Sequence, residues 1–438
     1  MVVGTVIGSG VFFKAQDVLK ATGGNMPIGI AAWCITGLIM IICSAQFAIM
    51  ATKHEKANGV IDYAEKTCGK GYAYLIAWFL VNIYYPGMTS VLAWVSARYF
   101  GVLVGWDMTS PQVMLLAGVF LILSYAMNAL SPKLAGKFQV SATIIKLIPI
   151  ILMAIIGTIV GAFNGTIAHN LVTPVETPTG GSTMSGLFAA IVATVFAYEG
   201  WIVATSINAE LKNPKKNLPI ALVAGAFIVV LCYVLYYIGV AGGATNEVLI
   251  ADGATTAFTN VFGKIGGTFL NMCIVVSCLG TLNGLMLAET RGMYTIAERK
   301  EGPKAEMFSQ VDKATNMTTN SAIWGLLLSA LWLIYFYGAN LDGGWFGLFS
   351  FDSSELPIVT IYALYIPMFI AWMIKEKELN PFKRFVLPIL SLCGIGVIIY
   401  ACIDKHGSSI IWYLIVFAVI MLIGFGVDMY NRKKAKNA

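Results

Sequence analysis

About twelve apolar stretches follow one another along this chain, most of them some twenty residues long. They leave room for little except a bundle of membrane-spanning helices. A helix needs about 20 apolar residues to cross the hydrocarbon core. The stretches fall at 1–13, 27–51, 72–100, 111–130, 138–162, 184–208, 218–242, 265–290, 320–338, 356–374, 383–402 and 409–429. Only 11% of the 438 residues are charged, and the mean hydropathy is +0.78. The expected class is an all-α polytopic membrane protein with about 12 transmembrane helices. The first stretch is too short to cross. A complete one needs about ten more residues upstream, so the native N-terminus is expected to lie beyond residue 1. A cleaved signal peptide fits less well, because there is no charged n-region and Gly8 and Gly10 break the apolar run.

The net charge of +6 reports topology and has no bearing on nucleic acid. With the N-terminus placed inside, the inner loops and tail collect most of the lysines and arginines, from Lys53 to Lys436. The outer side receives Lys14, Lys20, Arg98, Lys264 and Lys405. This asymmetry is the positive-inside pattern and predicts two cytoplasmic termini. Seven of the eight cysteines fall in spans and Cys68 in an inner loop, so neither a disulfide nor a metal site is expected. Asn164–Ser185, rich in Thr, Gly and Pro, reads as a surface loop. Asn58–Lys70 reads as a short helix lying along the interface.

Two spans carry interruptions. The first holds Gly8-Ser9-Gly10, with Gly4 one turn earlier; the sixth holds Phe196-Ala197-Tyr198-Glu199-Gly200-Trp201. Each glycine costs roughly 1 kcal/mol in a helix interior. A break in hydrocarbon strands N–H and C=O groups unless protein, water or ligand satisfies them. Gly4 and Gly8 also form a small-xxx-small pattern, so close helix packing is the competing reading. Interrupted spans at matching places in two repeats point to a transport site near the midplane. Five spans separate them, an odd number, so the repeats run in opposite directions. The expected organisation is a first inverted repeat over 1–162, a second over 184–374, and two further spans with a basic tail over 383–438. A freed helix N-terminus suits a carboxylate and freed carbonyls suit an ammonium, a pairing that fits an α-amino acid.

Lys146 reads as the only basic residue deep in a span, about 12 Å from its helix start. It is either functional, as intramembrane charges tend to be, or a lysine snorkelling to the interface. Glu199 reads as the only carboxylate in a span interior, serving as a counter-charge or as a cap on its own helix. Ser277, Thr281 and Asn283 suit helix–helix hydrogen bonding better than ligand contact. Asn213-Pro214 and Asn217-Leu218-Pro219 break the chain after the sixth span. No HExxH, GxSxG or Walker-type motif is present, and no enzymatic activity or cofactor is expected.

Gly8-Ser9-Gly10-Val11-Phe12, Phe196-Ala197-Tyr198-Glu199-Gly200-Trp201 and Glu210-Leu211-Lys212-Asn213-Pro214-Lys215-Lys216-Asn217-Leu218-Pro219 resemble the amino acid–polyamine–organocation (APC) transporters. Gly280-Thr281-Leu282-Asn283-Gly284, with Arg291 and Glu301-Gly302, is similar to the L-type amino acid transporters and their bacterial relatives. The resemblance implies a LeuT-like fold of 5+5 inverted repeats plus two C-terminal helices, and obligatory exchange without sodium. It implies a substrate carboxylate at the amides of Gly8, Ser9 and Gly10, and an ammonium at carbonyls near Val6, Phe196 and Glu199. Ile7, Ala197 and Tyr198 complete this implied substrate set, with Phe196 as an aromatic lid and Lys146 standing in for a coupling ion. Light subunits of this family use an outer-loop cysteine to join a heavy subunit. None lies in Val102–Pro111, so no disulfide-linked partner is expected.

The expected function is sodium-independent exchange of small to medium neutral L-amino acids at the plasma membrane. Ile7, Val195 and Leu285 would supply apolar walls. The alternatives are a cationic amino acid exchanger, a proton-coupled symporter, or a non-transporting sensor or scaffold.

Overall fold

The computed structural model describes residues 6–53, 59–107, 110–202, 213–313 and 316–437. Among them, ten helices are long and apolar enough to cross a membrane. In chain order the main helices are α1 (Gly10–Ala21), α2 (Met26–Lys53), α3 (Val60–Cys68), α4 (Lys70–Val104), α5 (Pro111–Leu130), α6 (Lys133–Phe163), α7 (Thr183–Tyr198) and α8 (Pro214–Gly243). They continue as α9 (Asn246–Asp252), α10 (Ala254–Thr290), α11 (Gly292–Glu298), α12 (Thr319–Phe336), α13 (Leu356–Lys375), α14 (Leu387–His406) and α15 (Ser409–Asn437). The sequence-derived spans from 27–51 onward agree with these helices over most of their length, whereas in the first, 1–13, the helix begins only at Gly10 and runs on to Ala21. The span expected over 184–208 stops as a helix at Tyr198. Gly4 and Glu210-Leu211-Lys212 lie outside the described residues.

The chain folds into two compact units. One gathers 1–60, 143–277 and 365–407; the other gathers 61–142, 278–364 and 408–438. In the first unit α8 packs on α2 and α6, while α7 packs on α1, α2 and α14. The α6–α8 crossing is made by glycines. A Cβ at Gly161 would stand 2.2 Å from the Gly242 Cα, and one at Gly242 would stand 2.0 Å from the Gly157 carbonyl oxygen. Lipid offers no hydrophobic drive between helices, so backbone approach of this kind supplies the packing. Between α2 and α7, the Thr36 and Thr194 hydroxyls share a hydrogen bond of 2.7 Å.

The segment expected as a surface loop between residues 164 and 185 is more ordered than its composition suggests. Thr166–Val172 is helical, and its Asn170 is buried, donating to the Ala241 and Ala244 carbonyls at 2.7 and 2.9 Å. The amides of Val175 and Glu176 both donate to the Gly23 carbonyl. Side chain-to-backbone and backbone-to-backbone bonds between residues far apart in sequence hold this segment, and composition carries no trace of them.

In the second unit α4 packs on α5 and α12. Trp78 and Tyr74 of α4 donate to the α15 carbonyls of Ile420 and Gly424 at 2.9 and 3.0 Å. Asn128 of α5 donates to the Asn283 side chain at 2.9 Å, and Asn283 donates to Ala135 and Gln139 of α6. Asn283 is therefore a helix–helix connector, as expected.

Helix α3 exists but does not lie free along an interface. Its Tyr63 and Ala64 are fully buried, and Arg299, just past α11, bonds both Asp62 and Glu65, the latter at 2.8 Å. Nearby, burial pushes the Glu301 carboxyl above its ordinary range, against the pull of Arg299. The ion pairs explain the placement, since two acidic residues on one short helix need a cation once buried. Removing one partner of a buried pair costs about 3–5 kcal/mol. Arg299→Ala is expected to lower the thermal unfolding midpoint in detergent clearly. Arg299→Ala with Asp62→Asn should recover part of the loss, and a midpoint unchanged in the single variant would show the pairs to be dispensable.

Candidate functional site

Both expected interruptions are present, and both lie in the first compact unit. Residues 7–9 form a bend outside any helix, and α1 begins at Gly10 with Ser9 as its N-cap, the Ser9 carbonyl accepting from the amides of Phe12 and Phe13. Helix α7 ends at Tyr198. Glu199 is extended at φ −72° and ψ 160°, and Gly200 takes φ +101°, a conformation side chains disfavour. The two breaks are adjacent. A Cβ at Gly10 would come within 2.5 Å of the Ala197 Cα. Gly10 is thus a packing glycine whatever else its amide does, which favours the packing reading for that position. Ser9 differs: its hydroxyl is buried, 1% exposed, and meets no hydrogen-bond partner among the described residues.

Tyr233 of α8 joins the two breaks. Its hydroxyl lies 2.9 Å from the Val6 carbonyl and 3.0 Å from the Ala197 carbonyl. One O–H donates to one acceptor at a time, so the two freed carbonyls share it and keep acceptor capacity. The ring is fixed by Trp33 and Tyr198, with centroids 5.5 and 5.1 Å away. Tyr198 is fully buried and donates its own hydroxyl to the Trp33 carbonyl at 2.9 Å. That bond gives Tyr198 a structural duty beside any ligand contact.

Phe196 is 7% exposed and meets Phe13 edge to face at 6.1 Å. The Lys14 ammonium stands 5.2 Å from the Phe196 ring, 5.0 Å from Phe13, and 3.4 Å from the Asp17 carboxylate. The sequence placed Lys14 among outer-loop charges, yet it is 4% exposed. Ring faces and Asp17 together make that burial tolerable. Val6, Ile7, Gly8 and Ala197 are buried, and Glu199 is half-buried within electrostatic reach of the Cys43 thiol on α2. Lys146, at the junction within α6, is fully buried and engaged in an interaction, so it does not snorkel here.

Three residues escaped the sequence reading. Tyr233 and Lys14 have contacts set by tertiary packing alone. The third is Glu289, fully buried near the end of α10; Glu199 is therefore not the only carboxylate inside a span. A count of carboxylates at span ends would have found it.

The amino acid permease model matches residues 1–425. The chain belongs to the amino acid permease family. It is similar to the serine/threonine exchanger SteT of Bacillus subtilis (strain 168), with 30% identity over 100% of this chain and 95% of that one. It is 24% identical to the b(0,+)-type amino acid transporter 1 of Mus musculus over 99% of this chain and 86% of that one. The human cystine/glutamate transporter is 22% identical over 78% of this chain and 67% of that protein. Among solved structures, that of MhsT in complex with L-phenylalanine superposes with a TM-score of 0.57 at 14% identity, covering 92% of this chain and 97% of that one. This likeness shows the fold alone, which is LeuT-like as expected. This permease is a polytopic amino acid transporter and no enzyme.

Tyr233→Phe removes the donor from two buried acceptors, at a cost of about 1–3 kcal/mol. The variant of this permease should fold and lose about tenfold in transport rate or apparent substrate affinity. Counterflow in proteoliposomes measures it, and wild-type kinetics would separate the hydroxyl bridge from transport.

Proposed function

We propose that this permease exchanges small to medium neutral L-amino acids across the plasma membrane by alternating access, without sodium and with both termini in the cytoplasm. The substrate is held at the two interruptions. Its carboxylate meets the amides around Gly8, Ser9 and Gly10, and its ammonium meets the carbonyls near Val6 and Phe196–Glu199. The two inverted repeats are 1–162 and 184–374. The observation that carries this reading is the adjacency of the two breaks, with Gly10 against Ala197 and one tyrosine hydroxyl serving carbonyls of both. The buried Ser9 hydroxyl, in the first break and without a hydrogen-bond partner among the described residues, offers a polar contact to a zwitterion. Ile7 and Val195, fully or almost fully buried, suit a small apolar side chain. The similarity to a serine/threonine exchanger supports small substrates and exchange.

A cationic substrate is the second reading, favoured by Glu199, which is half-buried at the end of α7. Proteoliposomes loaded with unlabelled serine or alanine should take up the labelled amino acid from sodium-free buffer, and empty ones should not. Arginine should compete poorly. Strong arginine counterflow would transfer the assignment to the cationic reading, and gradient-driven uptake into empty vesicles would make the protein a symporter.

Lys146 is the proposed stand-in for a coupling cation. Its full burial means that an alanine there leaves its acceptors unpaired, at about 1–3 kcal/mol. Lys146→Ala should change the exchange rate, or the apparent affinities on the two faces, by about tenfold while expression is kept. Kinetics equal to wild type on both faces would reduce it to a packing residue.

A further inference from the structure

Glu289 is the buried ionisable group that the proposed exchange does not use. It is 1% exposed, within the candidate span that runs from Ala254 to Glu298. Neither of its carboxylate oxygens has a hydrogen-bond partner among the described residues. Its surroundings are built to fit the group. Gly325 of α12 lies against it: a Cβ there would stand 2.8 Å from the Glu289 Cγ and 3.0 Å from Oε1. Ser321, Gly325 and Ser329 are spaced by four and share one face of α12. All three are buried, and the Ser329 hydroxyl also lacks a partner.

The charged groups on neighbouring elements do not pair with it. Helix α12 carries no charged side chain, and its only titratable group, Tyr335, lies ten residues past Gly325, about 15 Å along the axis. Lys133 and Lys137 of α6 and Lys70 of α4 are exposed, as is Arg291, two residues beyond Glu289. The remaining groups are Tyr72, Tyr74, Tyr84, Tyr85, Arg98 and Tyr99 on α4, Tyr125 on α5, Tyr294 and Glu298 on α11, and Glu306 on the short helix Ala305–Phe308. None of them forms an ion pair with Glu289 among the described residues.

An isolated ionised carboxylate in this setting is far costlier than a neutral carboxyl. A group so enclosed, with glycine backbone against it, can take up a proton without displacing a neighbour. We propose that Glu289 is a proton-binding site, neutral while enclosed as described, so that transport is governed by pH through this residue. The balance is simple: the carboxylate takes a proton from water and returns it whenever the group becomes accessible. Raising the pH favours the ionised form, draws the protein away from the enclosing conformation, and slows any cycle that passes through it. One proton changes the relevant equilibrium by at most tenfold per pH unit.

Two measurements test this, and only the second rests on the exchange reading. In infrared difference spectra of purified protein at about pH 7, wild type minus Glu289→Gln should show a protonated carboxyl C=O stretch; carboxylate bands instead would overturn the proposal. In counterflow with equal pH on both sides, the wild-type rate should fall as the pH is raised from about 6 to 9. Glu289→Gln and the neutral, similarly sized Glu289→Met should hold their acid-side rates. Profiles that superimpose on wild type overturn the proposal. So does inactivity at every pH, or failure of both neutral variants to fold, since either result means that the site requires the ion. Absence of counterflow in wild type would refute the exchange reading and leave the spectroscopic test standing.

Discussion

A backbone polar group in hydrocarbon must find a partner inside the protein, and this structure turns on where that requirement is suspended. Most of the chain meets it with uninterrupted helix. The interruptions at 7–9 and 199–200 do not, and α1, α2, α7 and α8 of the first compact unit pack around them. The breaks at 7–9 and 199–200 release carbonyls that a neighbouring helix answers through Tyr233. Trp33, Tyr198 and Tyr233 then form an aromatic cluster in which both tyrosine hydroxyls donate to backbone carbonyls. The result keeps the freed groups buried and partly satisfied, with acceptor capacity left over.

The sequence made the larger organisation readable because its signals are local. Span positions follow from runs of apolar residues. The breaks follow from Gly8, Gly10 and Gly200, since glycine in a span is a cost that needs a reason. Asn283 could be read as a connector because an amide in a span has few other uses, and it bonds Asn128, Ala135 and Gln139. What stayed illegible was pairing over long distances. Tyr233 and Val6 are 227 residues apart, and nothing in the run of apolar residues around Tyr233 marks its hydroxyl as special. Lys14 looked like a loop charge because its partners include ring faces, which no charge count registers. Asp62 and Glu65 looked like an interfacial pattern because Arg299 lies more than two hundred residues away.

The same contrast holds for the carboxylates. Glu199 announces itself beside a glycine in mid-span, whereas Glu289 sits near a span end where acidic residues are ordinary. Only the fit of Gly325 against it distinguishes the two cases, since a helix face made of Ser321, Gly325 and Ser329 leaves the space that a larger residue would fill. Small residues thus do two jobs in this chain. They bring backbones together, and they define the volume in which a polar side chain is confined.

The crossing of α6 and α8 carries a mechanical consequence. Gly157 and Gly161 meet Gly242 backbone to backbone, with no side chain between them to change rotamer. Such a contact has no soft intermediate: it can neither slip by small steps nor loosen gradually, because any displacement trades touching atoms for a void. The crossing therefore works as a rivet. The helix that bears Lys146 and the helix that bears Tyr233 are thereby held backbone to backbone, so that a buried ammonium and the hydroxyl serving both breaks sit on one closely packed pair.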